Sequence, residues 1–146
     1  MAAYSELYVA DIVEGQGYVF LCMRDILPGV DEKWFIETWM RSDTRECLDR
    51  AYPKWAGMMP DELVWWFIEN ECGGEYKRGD KWGGFLPQWV GIIYSLYQWK
   101  YNVPSKQIIE DIPLAAMERY YIPFHQASDE TAVTKIREYV HANASA

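Results

Sequence analysis

The two histidines, His125 and His141, are the first candidates for general acid–base chemistry in this chain. His125 follows the segment Ile122-Pro123-Phe124, between two predicted helices, and no orienting group can be named for it. A lone histidine in a loop is more typical of a hydrogen-bonded structural residue. No serine stands in a nucleophile-elbow pattern. The histidines and serines therefore predict no catalytic residue.

Paired carboxylates are the next candidates, because two facing acids can act as general acid and base. Asp61-Glu62 and Asp129-Glu130 fall at predicted helix starts, where acidic side chains interact favourably with the helix dipole. The pair Glu110-Asp111 is typical of a solvated helix face. Facing geometry cannot be read from spacing, so helix capping is the favoured role of these acids, and catalysis is less favoured than binding for the whole chain.

Three cysteines, Cys22, Cys47 and Cys72, are the remaining chemically reactive side chains. Their number is odd and no two lie at metal-ligand spacing, so we predict reduced thiols, no metal and no cofactor. The first seven residues lack a basic region followed by an apolar stretch. No apolar run reaches membrane-spanning length. These features predict a cytoplasmic protein with no membrane segment.

The segment 73–85 contains five glycines and predicts a loop or a small hairpin. It lacks the GxxxxGK[ST] spacing of a phosphate-binding loop, and no clear strand precedes it. Four of its side chains form the one locally basic and aromatic patch of the chain: Lys77, Arg78, Lys81 and Trp82. The patch is a candidate contact for an anionic group of a partner. The alternative is a flexible, solvent-exposed loop.

The rest of the sequence contains residue patterns that are typical of α-helices. Asp31 and Ser128 are predicted N-caps, and Pro28-Gly29 predicts a helix end. Helices are predicted over 5–14, 18–27, 32–41, 44–51, 60–71, 86–101, 105–112, 113–121 and 129–140, with His141–Ala146 as a frayed tail. Gly15 and Gly17 are expected to interrupt or kink the first of them, and a strand over 18–22 is the alternative to a second helix. The prediction is an all-α fold of about six to eight helices in one domain, 1–146.

Aromatic side chains are unusually abundant, with eight Trp, eleven Tyr and five Phe. A domain of this size has limited interior volume, so some rings are expected at a binding surface, where aromatic residues are enriched. The helix 60–71 is apolar nearly all round, which predicts that it is buried on both sides or faces a partner. Candidate partner anchors on it and on 32–41 are Trp34, Trp39, Trp65 and Trp66. Packing in the core is the alternative, favoured for at least two of them.

The net charge of −8 bears on which class of molecule the chain could bind. Residues 1–70 hold most of the acidity, with 13 acidic and 6 basic side chains. Direct binding to nucleic acid is disfavoured because that affinity comes from clustered Lys and Arg. A protein partner, basic in charge, fits better because opposite fields favour encounter. Simple solubility is the alternative explanation of the acidity. Oligomeric state cannot be read from these features.

The central and C-terminal parts of the chain contain the aromatic run Trp89–Trp99, then Ser105-Lys106, Met117, Tyr120-Tyr121, His125 and Asp129-Glu130-Thr131-Ala132. With these residues the chain resembles small acidic helical bacterial proteins of uncharacterised families, some of which lie in toxin–antitoxin-like loci. The resemblance covers about residues 58–138. It implies an antitoxin or immunity role and carries over no functional residues.

Three functions follow from the sequence, and a protein-binding module is the favoured one. In its finer form it is an antitoxin or immunity-type protein that neutralises a partner. The first alternative is a small-molecule-binding protein or enzyme with a Trp/Tyr-lined pocket between helices. The second is an acidic mimic of nucleic acid, which would require rows of acids on one surface.

Overall fold

The structure is a computed structural model that describes residues 2–145. Within that range it is all-α, as predicted, and contains no strand. A short 3₁₀ helix, Glu6–Tyr8, precedes the α-helices. These are α1 (Val9–Ile26), α2 (Glu32–Met40), α3 (Asp43–Asp49), α4 (Pro53–Ala56), α5 (Pro60–Glu71), α6 (Leu86–Tyr101), α7 (Ser105–Asp111), α8 (Leu114–Phe124) and α9 (Asp129–Ser145). No helix in the described range is long and apolar enough to cross a membrane.

The first two predicted helices are one continuous helix, α1, so the expected break at Gly15 and Gly17 is wrong. The strand alternative over 18–22 is excluded with it. Gly17 is buried against α6, where an added Cβ would lie 2.8 Å from an Ile92 side-chain carbon. On α6, a Cβ at Gly91 would lie 2.5 Å from the backbone oxygen of Gln16. The glycines therefore permit close helix packing, and this burial outweighs their low helix propensity.

An aromatic cluster from three helices lies in the core. Phe35 of α2 stacks on Trp39 at 5.9 Å between ring centroids, and both rings meet Phe67 of α5 edge to face. Phe20 of α1 meets Phe35 edge to face as well. The Trp39 indole N–H donates to the side-chain oxygen of Gln16, which satisfies two buried polar groups. This cluster joins α1, α2 and α5.

Side-chain caps fix where α2 and α3 begin. The Asp31 carboxylate accepts from the backbone N–H of Trp34, which confirms the predicted N-cap of α2. The N-cap of α3 is Ser42, whose hydroxyl accepts the backbone N–H of Arg45. The Glu71 carboxylate, at the end of α5, accepts the backbone N–H groups of Asp43 and Thr44. The first turn of α3 is thus held by an acid from another helix.

Three further features differ from the sequence predictions. The short helix α4 was not predicted. The helix predicted over 113–121 instead continues as α8 to Phe124, and Pro123 lies inside its last turn. The last helix, α9, continues through the segment predicted as a frayed tail and ends at Ser145. The described helices share one core, to which α1, α2, α3, α5, α6, α7, α8 and α9 contribute buried apolar side chains.

Candidate functional site

A buried ion pair anchors α3 to the helices behind it. Arg45 and Asp49 lie one turn apart, with 3.3 Å between Nη1 and Oδ1, and their side chains are 1% and 7% exposed. Asp49 also accepts the hydroxyl of Ser105 at 2.5 Å and the backbone N–H of Ser105 at 2.9 Å. The guanidinium of Arg45 donates to Ser95 of α6. The pair therefore fixes α3 against both α6 and α7.

Two more polar side chains complete this cluster. Gln98 of α6 donates its amide N–H to the backbone oxygen of Asp49, at 3.0 Å. Burial raises the pKa of the Tyr4 hydroxyl to about 12, and this hydroxyl also interacts electrostatically with Arg45 and Asp49. The Tyr4 hydroxyl and the side-chain oxygen of Gln98 are buried and make no hydrogen bond to the described residues. The cluster holds α3 in place and leaves the segment after it at the surface.

That segment turns sharply into α4. Ala51 has a left-handed backbone with φ of 54°, a conformation uncommon for a residue with a side chain. Pro53 follows and begins α4, a position that suits its fixed φ. The turn exposes Tyr52, which is 42% exposed.

α4 packs on α5 through two tryptophans and a lysine. Trp55 and Trp66 meet edge to face at 6.3 Å between centroids. The Lys54 ammonium lies over both rings, at 4.3 Å from the Trp66 centroid and 5.3 Å from that of Trp55. Such cation–π contacts keep the lysine folded back on the rings. Lys54 is therefore engaged within the chain.

A groove lies between α4 and the N-terminal end of α1. This α1–α4 groove has a volume of about 390 Å³. Its walls are mostly apolar and consist of Tyr8, Asp11, Ile12, Ala51, Pro53, Ala56 and Gly57. Asp11 is the one charged side chain among them, and within residues 2–145 it forms no ion pair. The volume falls in the range of ligand and peptide-anchor pockets.

Some exposed apolar side chains lie in this groove or next to its walls in sequence. Tyr8 in the wall is 56% exposed. Leu7, next to Tyr8 in sequence, is 85% exposed, and Met59, two residues after Gly57, is 62% exposed. Tyr52 lies between two wall residues in sequence but lines a separate pocket with Cys47 and Arg50. An exposed aromatic ring in the wall of an apolar groove is typical of an interaction site.

The four tryptophans predicted as partner anchors have different surroundings. Trp39 is fully buried in the aromatic cluster, so its prediction as an anchor is wrong: its ring fills the core between α2 and α5. Trp34 is partly buried and packs against the core. Trp66 is partly buried under Lys54. Trp65 is 43% exposed and is the tryptophan most available to a partner.

The predicted basic patch lies at the N-terminal end of α2 and is docked there by hydrogen bonds. Arg78 donates to the backbone oxygen of Pro28 and lies over the Tyr76 ring. Lys77 lies 3.9 Å from the Asp31 carboxylate. Lys81 is exposed. The loop is held in place, because its backbone also forms hydrogen bonds with the backbone of residues 29–32.

Trp82 is the fourth residue of that patch. Its backbone N–H donates to Glu32, a fully buried acid of α2 that also pairs with Arg24 at 3.0 Å. The Trp82 indole N–H donates to Glu118 of α8. This bond, together with Lys33, holds the pKa of Glu118 below its ordinary value. Three of the four patch residues, Lys77, Arg78 and Trp82, therefore have partners within the chain.

The chemically reactive side chains do not assemble into a centre. His125 stacks on Tyr121 and its Nδ1 lies 2.7 Å from the Tyr121 backbone oxygen, as expected for a structural histidine. All three cysteines are free, and burial raises the pKa of Cys47 and Cys72. Over residues 2–145, no three His, Cys, Asp or Glu side chains are grouped so that they could hold a metal ion.

Sequence reasoning missed the α1–α4 groove. Tyr8, Asp11 and Ile12 have the i, i+3, i+4 spacing that places side chains on one helix face, which was an available signal. The other wall comes from the unpredicted α4.

Comparisons with models of known families, with curated proteins and with solved structures find no match.

Proposed function

We propose that this chain is a protein-binding module, of the antitoxin or immunity type, whose partner binds at the α1–α4 groove. The observation that carries the proposal is a mostly apolar groove with an exposed aromatic side chain, Tyr8, in its wall. A stable interface needs an apolar patch, with aromatic residues at its centre.

The support below the groove is rigid enough for this role. The Arg45–Asp49 cluster fixes α3, and the Trp55–Trp66 contact fixes α4 on α5. A surface whose supporting side chains are already packed loses little conformational freedom on binding, which favours affinity.

Site-specific photo-crosslinking in a lysate of the source cells tests this proposal. A benzoylphenylalanine replaces Tyr8 in the groove wall, and in a matched control it replaces Ile122, which is 75% exposed on α8. We expect one protein to crosslink from position 8 in near-stoichiometric yield and not from position 122. Absence of a product at position 8, or the same products from both positions, would refute the proposal.

A further inference from the structure

The α1 wall of the α1–α4 groove carries acidic side chains without a cation nearby in sequence. From residue 2 to residue 23, the chain that carries this wall contains Glu6, Asp11 and Glu14 and no lysine or arginine. All three of these side chains are exposed. On the other wall the nearest cations by sequence are Arg50 and Lys54.

These two cations keep their charge but have partners within the chain: Arg50 donates to the Tyr52 hydroxyl, and the Lys54 ammonium lies over the Trp55 and Trp66 rings. The α1 wall itself has only acidic charge, and the chain as a whole has a net charge of −8. A cationic group would gain favourable energy on approaching this face, whereas an anionic group would be repelled.

Asp11 places one of these charges inside the groove itself. It lies among Ile12, Ala51, Pro53 and Ala56, so an occupant must offer an apolar surface and a positive charge side by side. The combination is that of a peptide segment with a large apolar residue next to a lysine or arginine. A polyanion, or a purely aliphatic ligand, leaves Asp11 unpaired.

We infer that the α1–α4 groove binds a basic segment of a partner protein, in which an apolar side chain fills the groove and an adjacent Lys or Arg pairs with Asp11. This inference rests on the proposed function and adds the chemistry of the partner. The closeness of an apolar wall and an unpaired carboxylate in one groove, on an α1 segment that contains no cation from residue 2 to residue 23, carries it.

Selection from a displayed library of random dodecapeptides tests the inference on the purified full chain. We expect enriched peptides with an apolar residue adjacent to Lys or Arg. Their binding should be lost with Ala56→Trp, which fills the groove, and retained with Ala115→Trp, an exposed alanine on α8. Circular dichroism of each variant checks that the helices remain.

The charge pairing has its own matched test. Asp11→Asn should weaken the selected peptides by roughly two- to fivefold at low salt, the range of an exposed ion pair. Asp25→Asn, on the same helix at its exposed C-terminal end, should leave affinity unchanged. Added salt should remove the difference between the two variants.

Several results would overturn the inference. These are enriched peptides without an excess of basic residues, equal effects of the two Asp→Asn substitutions, or binding that survives Ala56→Trp. If position 8 still crosslinks one protein in lysate, such results reject the basic partner alone and leave the protein-binding proposal standing. If position 8 crosslinks nothing, the proposed function fails first.

Discussion

Replacing Asp49 with alanine should be among the most destabilising single substitutions in this chain. The side chain is nearly buried and has three interactions: the ion pair with Arg45 at 3.3 Å, and bonds from the hydroxyl and the backbone N–H of Ser105. Asp49→Ala removes all of them at once. It also leaves the guanidinium of Arg45, which is 1% exposed, without its counter-charge.

The size of the effect follows from the buried charge. Breaking a buried pair by removing one partner typically costs about 3–5 kcal/mol, because the other charge stays desolvated. The total stability of a domain is only about 5–15 kcal/mol. With a urea m-value of about 2 kcal/mol/M, the unfolding midpoint should fall by about 2 M. Urea titration followed by tryptophan fluorescence measures this midpoint.

Two control variants make the prediction specific. The double variant Arg45→Met with Asp49→Leu removes both charges and should be more stable than Asp49→Ala, because no unpaired charge is buried. Glu110→Ala breaks the exposed pair with Arg41 and should change the midpoint little. If Asp49→Ala costs under about 1 kcal/mol, or if the double variant is the less stable of the two, this account of the cluster is wrong.

Three further substitutions test the packing, the acid response and the buried hydroxyl. Gly91→Ala should lower the free energy of urea unfolding by about 1–3 kcal/mol, because its Cβ would meet the α1 backbone. Gly15→Ala, with open space around it, should raise this free energy by about 0.5–1 kcal/mol. Equal effects of the two substitutions would contradict the close packing. Because the folded-state pKa of Glu118 is lowered, its contribution to stability is present above pH 4.5 and is lost as pH falls through the folded-state pKa. The gap in urea midpoint between wild type and Glu118→Gln should therefore shrink from pH 7 to pH 3, and a constant gap would count against the Trp82 bond. Tyr4→Phe should raise stability by about 1–3 kcal/mol, since it removes a hydroxyl that is buried without a partner, and a loss in the same titration would reveal one.

Much of the fold could be predicted because local signals and packing agree. The predictions 60–71 and 86–101 match α5 and α6, which begin with proline in their first turn and are long and apolar. The prediction 32–41 differs from α2 by one residue, since the Asp31 cap is a local signal. At Gly17 the local signal was misleading. There the tight approach of α6, which no local pattern encodes, keeps α1 continuous.

Less of the candidate site could be predicted, because it is built from residues far apart in sequence. Arg45 and Asp49 have the same i, i+4 spacing as a solvated surface pair, and only the burial supplied by α6 and α7 distinguishes them. Trp39 and Trp65 have similar helical sequence contexts, yet one is fully buried and the other is 43% exposed. Which face of a helix stays open depends on its neighbours, and these are set by the tertiary fold.

The close pairing of α1 with α6 has a consequence for synthesis on the ribosome. The inner face of α1, which includes Val19, Phe20 and Met23, is completed by a helix from the other half of the chain. A nascent chain therefore carries this apolar face only partly covered while α2 to α5 emerge, and core closure must await α6. Stalled chains whose emerged part ends before Leu86 should be cut by protease within α1, and chains whose emerged part extends past Tyr101 should resist it.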